Sequence, residues 1–131
     1  MNGAKGRFGL AVGALALLGA VPEPSSPRGA QPGLWDVSLS ATGNHSHRLC
    51  LPDPMILTQW EHRAAACTRV ILSEHGTSAT VHYTCTGGGF GQSVITLVTP
   101  RSIKVETQGI AGDLPFAYSL YARRAGNCSP R

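Results

Sequence analysis

Acidic residues are few in this chain, seven among 131 residues, and Asp36, Asp53, Glu61, Glu74, Glu106 and Asp113 include no evident pair for general acid/base work. The basic residues are no better organised. Arg48, Arg63, Arg69, Arg101 and Lys104 are scattered and only Arg123 and Arg124 are adjacent, whereas a nucleic-acid binder gathers its cations into a stripe or patch. Nucleic acid is therefore excluded as a partner. A long apolar run is missing too: the uncharged stretch from Phe8 to Ala20 counts 13 residues, and crossing a bilayer takes about 20. No permanent membrane anchor is expected.

Catalytic signatures are equally absent. There is no Gly-x-Ser-x-Gly elbow and no helix-borne His-Glu pair, so a set such as Ser73, His75 and Asp113 has no positioned nucleophile behind it. The glycine-rich stretch Thr86-Gly87-Gly88-Gly89-Phe90-Gly91 lacks the Gly-Lys-Ser/Thr ending of a phosphate loop and the following helix of a dinucleotide site. It reads as a flexible link or glycine bulge between strands. His45 and His47 share a face in an extended chain, and His62, His75 and His82 add imidazoles, but a metal site wants three or four converging donors. No catalytic residue, metal ligand or cofactor is assigned, and the chain is not expected to be an enzyme.

What the chain does contain points to export. Lys5 and Arg7 precede the apolar run, and Val21-Pro22-Glu23-Pro24 ends it, which is the layout of a secretory signal over residues 1–20 with cleavage near Ala20. Its removal takes two cations and leaves nine against seven acids, a mature charge of about +2. Four cysteines, Cys50, Cys67, Cys85 and Cys128, lie behind it, and in a small exported chain such a set reads as a disulfide framework. The expected location is periplasmic or secreted. About 110 residues bury roughly 65% of their unfolded surface, enough for one modest core.

Residues 21–32, VPEPSSPRGAQP, are proline-rich without apolar periodicity and are expected to form a disordered leader. The domain then covers 33–131. Trp35, Val37, Leu39 and Ala41 alternate with polar residues as in a half-buried strand; Thr42-Gly43-Asn44 makes a turn, and 47–51 returns as a second strand. Asp53-Pro54 resembles an N-cap with proline in the first turn, ahead of one short helix over 55–66. Its apolar stripe is Met55, Ile56, Gln59, Trp60 and Arg63. Five further strands are predicted at 68–73, 79–86, 93–99, 103–108 and 116–123. Only 53–66 is long enough for a parallel crossover. The fold class is therefore mainly β: a single antiparallel meander of about seven strands, a sandwich or a barrel-like curled sheet. Trp35, Phe116 and Tyr118 fall on apolar faces; Trp60 and Tyr121 are less determined.

Four cysteines allow three pairings. A hairpin turning near His75-Gly76 sets Cys67 opposite Cys85, where cross-strand Cβ atoms stand about 5 Å apart, and leaves Cys50 with Cys128. A one-residue slip would point Cys67 and Cys85 apart unless a bulge intervenes. The rival is Cys50–Cys67 with Cys85–Cys128.

The opening Pro32-Gly33-Leu34-Trp35, Cys50-Leu51-Pro52, Cys67, Cys85-Thr86-Gly87-Gly88-Gly89 and the ending Ala122-Arg123-Arg124-Ala125-Gly126-Asn127-Cys128 form an ordered series. Over about Pro32 to Pro130 the chain resembles the bacterial exported family catalogued as domain of unknown function 3617 (DUF3617). Asn127 stands where that family usually has an acid, and Asp36 where a Glu is common. The resemblance implies a small periplasmic or secreted domain of proteobacterial type without an established activity. Two roles follow as expectations: an interaction module that presents loops or a sheet edge to an envelope protein, or a carrier of a small apolar ligand inside a curled sheet. A pocket lined by Trp35, Leu39 and Tyr118 would favour the carrier. A filled core with an exposed apolar patch would favour the partner module.

Overall fold

The computed structural model describes residues 26–129, together with positions 3, 6, 9, 11–15 and 19. The expected signal, its cleavage point at Ala20 and the first part of the leader fall largely outside the described residues.

Seven strands form one antiparallel sheet: β1 (Gly33–Ser38), β2 (His47–Leu51), β3 (Cys67–His75), β4 (Ser78–Cys85), β5 (Phe90–Thr99), β6 (Ser102–Ala111) and β7 (Leu114–Gly126). From β3 to β7 the chain is a plain meander, and the β1–β2 hairpin joins it through β1 against β7, giving the order β2-β1-β7-β6-β5-β4-β3. β2 and β3 are thus the two edge strands of the sheet. The segment 52–66 connects them, and its helix packs over β4, β5 and β6.

Strand alternation divides the sheet into two faces. On the inner face Trp35 and Val37 of β1 meet Leu120 and Ala122 of β7, Ile103 and Val105 of β6, Ile95 and Leu97 of β5, and Ala79 and Val81 of β4, all buried. The helix lays Leu57 and Trp60 into them. Trp35, Tyr83, Leu57, Ile95, Ile103 and Leu120 are each less than 2% exposed, so the interior is packed with side chains.

The helix differs from the expected one. It is a 3₁₀ helix over Pro54–His62, kinked at Gln59 (φ −118°, ψ 34°), and it stops short of Ala66. Asp53 caps it as expected, its Oδ1 accepting from the Met55 N–H at 3.0 Å. Pro54, Leu57 and Trp60 are the apolar residues it buries, a spacing of three that follows the three-residue turn of this helix. The predicted stripe assumed the α-helical period and so omitted Leu57, while its Met55 and Ile56, partly buried, do pack against the core.

Two further departures concern the ends of the hairpin and the leader. β1 stops at Ser38, and Leu39, expected on its buried face, is 68% exposed. The Ser38 hydroxyl donates to the Asn44 carbonyl at 2.6 Å and accepts the Ser40 N–H at 3.0 Å, which turns the chain before Leu39 can continue the strand. In the segment 21–32, residues 26–32 are packed rather than loose. Pro27–Gly29 form a 3₁₀ turn capped by Ser26, Pro27 and Ala30 are buried, and Arg28 pairs with Glu74 at 2.9 Å.

All four cysteines are in disulfides. Cys67 lies directly opposite Cys85 in the β3–β4 register and bonds to it, and Cys50 bonds to Cys128. The alternative slip is avoided by a bulge: Ile71 pairs with Val81 and Ser73 with Thr80, leaving Leu72 outside the register. Such bridges form and persist in an oxidising compartment.

Candidate functional site

Three surfaces come out of this packing: a cluster under the helix end, a mouth beside it and the edge strand β3. The cluster begins with glycines. Gly87 (φ 108°) and Gly88 (φ 102°) turn the chain from β4 to β5, with Gly88 N–H donating to the Cys85 carbonyl at 3.2 Å. The two glycines that follow have a different use. A Cβ on Gly89 would collide with the His62 imidazole, and one on Gly91 would stand 2.7 Å from Tyr83 Cζ and Oη. Across the ladder, Gly109 opposite Gly91 would meet the Phe90 carbonyl oxygen and the Phe116 ring. The bare floor admits His62 against both Tyr83 and Phe116, His62 Nδ1 lying 2.9 Å from Tyr83 Oη. The stretch Thr86–Gly91 is thus a turn plus a packing surface. Alternating glycines on one strand face, with a further glycine on a nearby strand, are the signal a sequence reading could have used.

The mouth is an open concavity of about 460 Å³ between the β1–β2 loop, the helix end and β7, floored by Val37, Trp60 and Leu120 and rimmed by Leu39, His45 and His47. Tyr118 donates to Glu61 Oε2 at 2.8 Å. Burial first, and then the Glu61 carboxylate, push the Tyr118 phenol well above the usual tyrosine range. The same two causes, burial leading, raise Tyr83 to about 12. Both hydroxyls therefore keep their protons at neutral pH. Arg63 stacks over Trp60 at 4.1 Å and donates to its carbonyl at 2.9 Å.

The edge strand is tied to the helix by one side chain. Arg69, on the inner face of β3, donates to Gln59 Oε1 at 2.9 Å and Asp53 Oδ2 at 3.1 Å, reaching the kink and the cap together. On the opposite face Val70 and Leu72 are 52% and 56% exposed. Between Cys67 and the bulge, the outward edge of β3 has no neighbouring strand.

The sequence candidates separate accordingly. His45 and His47 both reach the mouth, whereas His62 pairs with Tyr83, His75 ends β3 and His82 lies in β4. Among the described residues no three His, Cys, Asp or Glu side chains converge as metal ligands. Ser73 and His75 sit by the β3–β4 turn, at the end of the sheet where Thr96, Lys104 and Tyr121 align, while Asp113 is in the β6–β7 turn beyond Ile110 and Phe90 at the other end. The structure does not bring that triad together. Among the described residues no helix is long and apolar enough to cross a membrane. The chain matches no protein-family model, no curated protein and no solved structure.

Proposed function

We propose that the chain is an exported domain of the cell envelope, periplasmic or secreted, that works as a non-catalytic interaction module by accepting an extended segment of an envelope protein along β3. The carrying observation is the pairing of a filled interior with an open edge: core side chains occupy the inner face of the sheet, while Val70 and Leu72 stand exposed on an edge strand that is paired on one side only. An edge of this kind offers a row of main-chain donors and acceptors to an incoming strand, and alternate side chains supply selectivity. The bulge at Leu72 limits the usable edge to Cys67–Ile71 and so restrains unspecific association. Export rests on the basic and apolar N-terminal pattern and on the disulfides; kinship with the DUF3617 family rests on the residue series alone.

The carrier reading has one observation in its favour. Leu39 and Tyr118, two of the three residues named for it, line the mouth, although Trp35 lies in the core instead.

One experiment separates the two. A photo-crosslinking residue at Val70, compared with one at Leu39, is expressed in the native envelope, and the protein is recovered for native mass spectrometry. The module predicts a discrete protein adduct from position 70, lost when Thr68→Pro is added within the usable edge, and a mature chain lacking residues 1–20 with no small passenger. A reproducible small mass that leaves on denaturation, without an adduct at position 70, would overturn it in favour of the carrier.

A further inference from the structure

The outer face of the sheet carries a second arrangement, inside the sheet beside β3, whose Val70 lies opposite His82. Register places His82, Gln92, Gln108 and Ala117 in one row across β4, β5, β6 and β7, and Phe90, Ile110 and Pro115 in the next row. The two rows flank a concavity of about 700 Å³, to which His82, both glutamines and the apolar trio all contribute. A neighbouring hollow of about 470 Å³ shares Gln92, Gln108 and Ala117 with it and adds Val94, Glu106 and Ser119 of the following row, so the depression continues along the strands.

The chemistry of the lining is selective. No Asp, Glu, Lys or Arg borders the larger concavity, so a phosphate, carboxylate or ammonium group would enter without a counter-charge. Among the described residues, the side chains of His82, Gln92 and Gln108 make no hydrogen bond to the protein. A purely apolar ligand would cover these groups and leave them unsatisfied, which is costly. Each glutamine offers both a carbonyl acceptor and an amide donor. Adjacent strands set the backbones of the paired Gln92 and Gln108 about 4.8 Å apart, a spacing on the scale of one pyranose ring. Beside them Phe90, 43% exposed, presents an aromatic surface.

We infer that this trough binds a neutral pyranose oligosaccharide, whose hydroxyls meet the row His82–Gln92–Gln108 and whose C–H face lies against Phe90, Ile110 and Pro115. A sugar has that combination of an apolar face and uncharged groups that both donate and accept. The larger concavity spans β4 to β7 inside the sheet, where each strand is already paired with its neighbours, which suits a saccharide better than a peptide, whose main chain would seek a strand edge. This site is distinct from the β3 edge and stands whether or not that edge takes a partner.

The test uses the mature, disulfide-intact protein with cellotetraose, maltotetraose and N-acetylglucosamine tetramer, read by two-dimensional NMR of backbone and glutamine side-chain amides. The three probes separate a plain hydroxylated glycan from an N-acetylated one. Saturable shifts confined to Gln92, Gln108, Phe90 and Ile110 are expected with at least one probe. Gln92→Ala and Gln108→Ala, both exposed positions, should each weaken binding by about tenfold, the effect of one lost hydrogen bond of typical upper size, while the amide spectrum elsewhere stays unchanged. Phe90→Ala should weaken it as well. Absence of shifts with all three sugars, shifts that persist in the double Gln92→Ala/Gln108→Ala variant, or tighter binding of a neutral proline-rich peptide or of polygalacturonate would each overturn the assignment.

Discussion

The Ser93 hydroxyl donates to the main-chain oxygen of Thr58 across 2.6 Å, joining the floor of the sheet to the 3₁₀ helix above it, and its oxygen lies 2.7 Å from the Thr107 hydroxyl. All three residues are buried. Ser93→Ala leaves the Thr58 carbonyl without its partner in a dry environment, at a cost of about 1–3 kcal/mol. In a domain of this size each kcal/mol lowers Tm by about 4–8 °C. Thermal unfolding checks this, and an unchanged Tm would show that the helix is held by apolar packing alone.

The glycine floor makes a ranked prediction. At Gly109 an added methyl meets main-chain atoms of Phe90 and Gly91 that cannot move aside, at Gly91 it meets the enclosed Tyr83 ring, and at Gly89 it meets the end of the half-buried His62. Alanine should therefore cost most at 109, about 3 kcal/mol, less at 91 and least at 89. Denaturant midpoints give the order. Combining Gly89→Ala with His62→Ala should recover most of the loss at 89, because the colliding ring is then gone.

Arg69 predicts a local effect. Arg69→Met keeps the aliphatic stem but removes the bonds to Gln59 and Asp53. Hydrogen exchange should quicken in residues 52–66, with the amides of β5 to β7 unaffected, since those strands are held by their own ladders. Uniform loss of protection would mean that the helix and sheet unfold as one unit.

Removing each disulfide separately should destabilise the domain unequally. Cys67–Cys85 closes a sequence separation of 18 and Cys50–Cys128 one of 78, for which chain entropy predicts about 3 and about 4.5 kcal/mol. Paired Cys→Ala variants, compared by urea unfolding, test whether the longer bridge contributes more.

The pH dependence has two limbs. Tyr83 and Tyr118 are raised in the folded state, chiefly by burial, so their contribution is complete below about pH 10, the ordinary tyrosine value, and is lost as pH climbs above it, through about 12 for Tyr83. Asp36 is lowered, first by its hydrogen bond from Arg48, so its contribution is present above about pH 4 and fades as pH falls through the lowered value. That pair is on the surface and its effect should be small. Phenolate absorbance followed with circular dichroism should show ionisation of Tyr83 and Tyr118 only together with alkaline unfolding. Ionisation in a still-folded chain would contradict their burial.

Alternation in the sequence was enough to locate seven strands, because each has one buried and one wet face and the side-chain period of two survives any arrangement of neighbours. β2 shows it at 47–51, and Phe116, Tyr118, Leu120 and Ala122 do in β7. The pairing of Cys67 with Cys85 was favoured by hairpin geometry but depended on a bulge that local sequence does not announce. The helix was legible as a capped start at Asp53 and illegible in its period, since a 3₁₀ turn is selected by the space over β4–β6 rather than by propensity. Leu57 and Thr58 were missed for that reason.

By itself, then, the sequence determined strand content, the cysteine framework and the lack of clustered charge or catalytic motifs, all of which depend on residues close together in the chain or on composition. Only the tertiary structure decided that β1 inserts between β2 and β7, that Gly89, Gly91 and Gly109 form a floor for three rings, and that Gln92 and Gln108 share a row with His82. Those arrangements join residues far apart in the chain, and they depend on sheet register and on how side-chain volumes fill one interior.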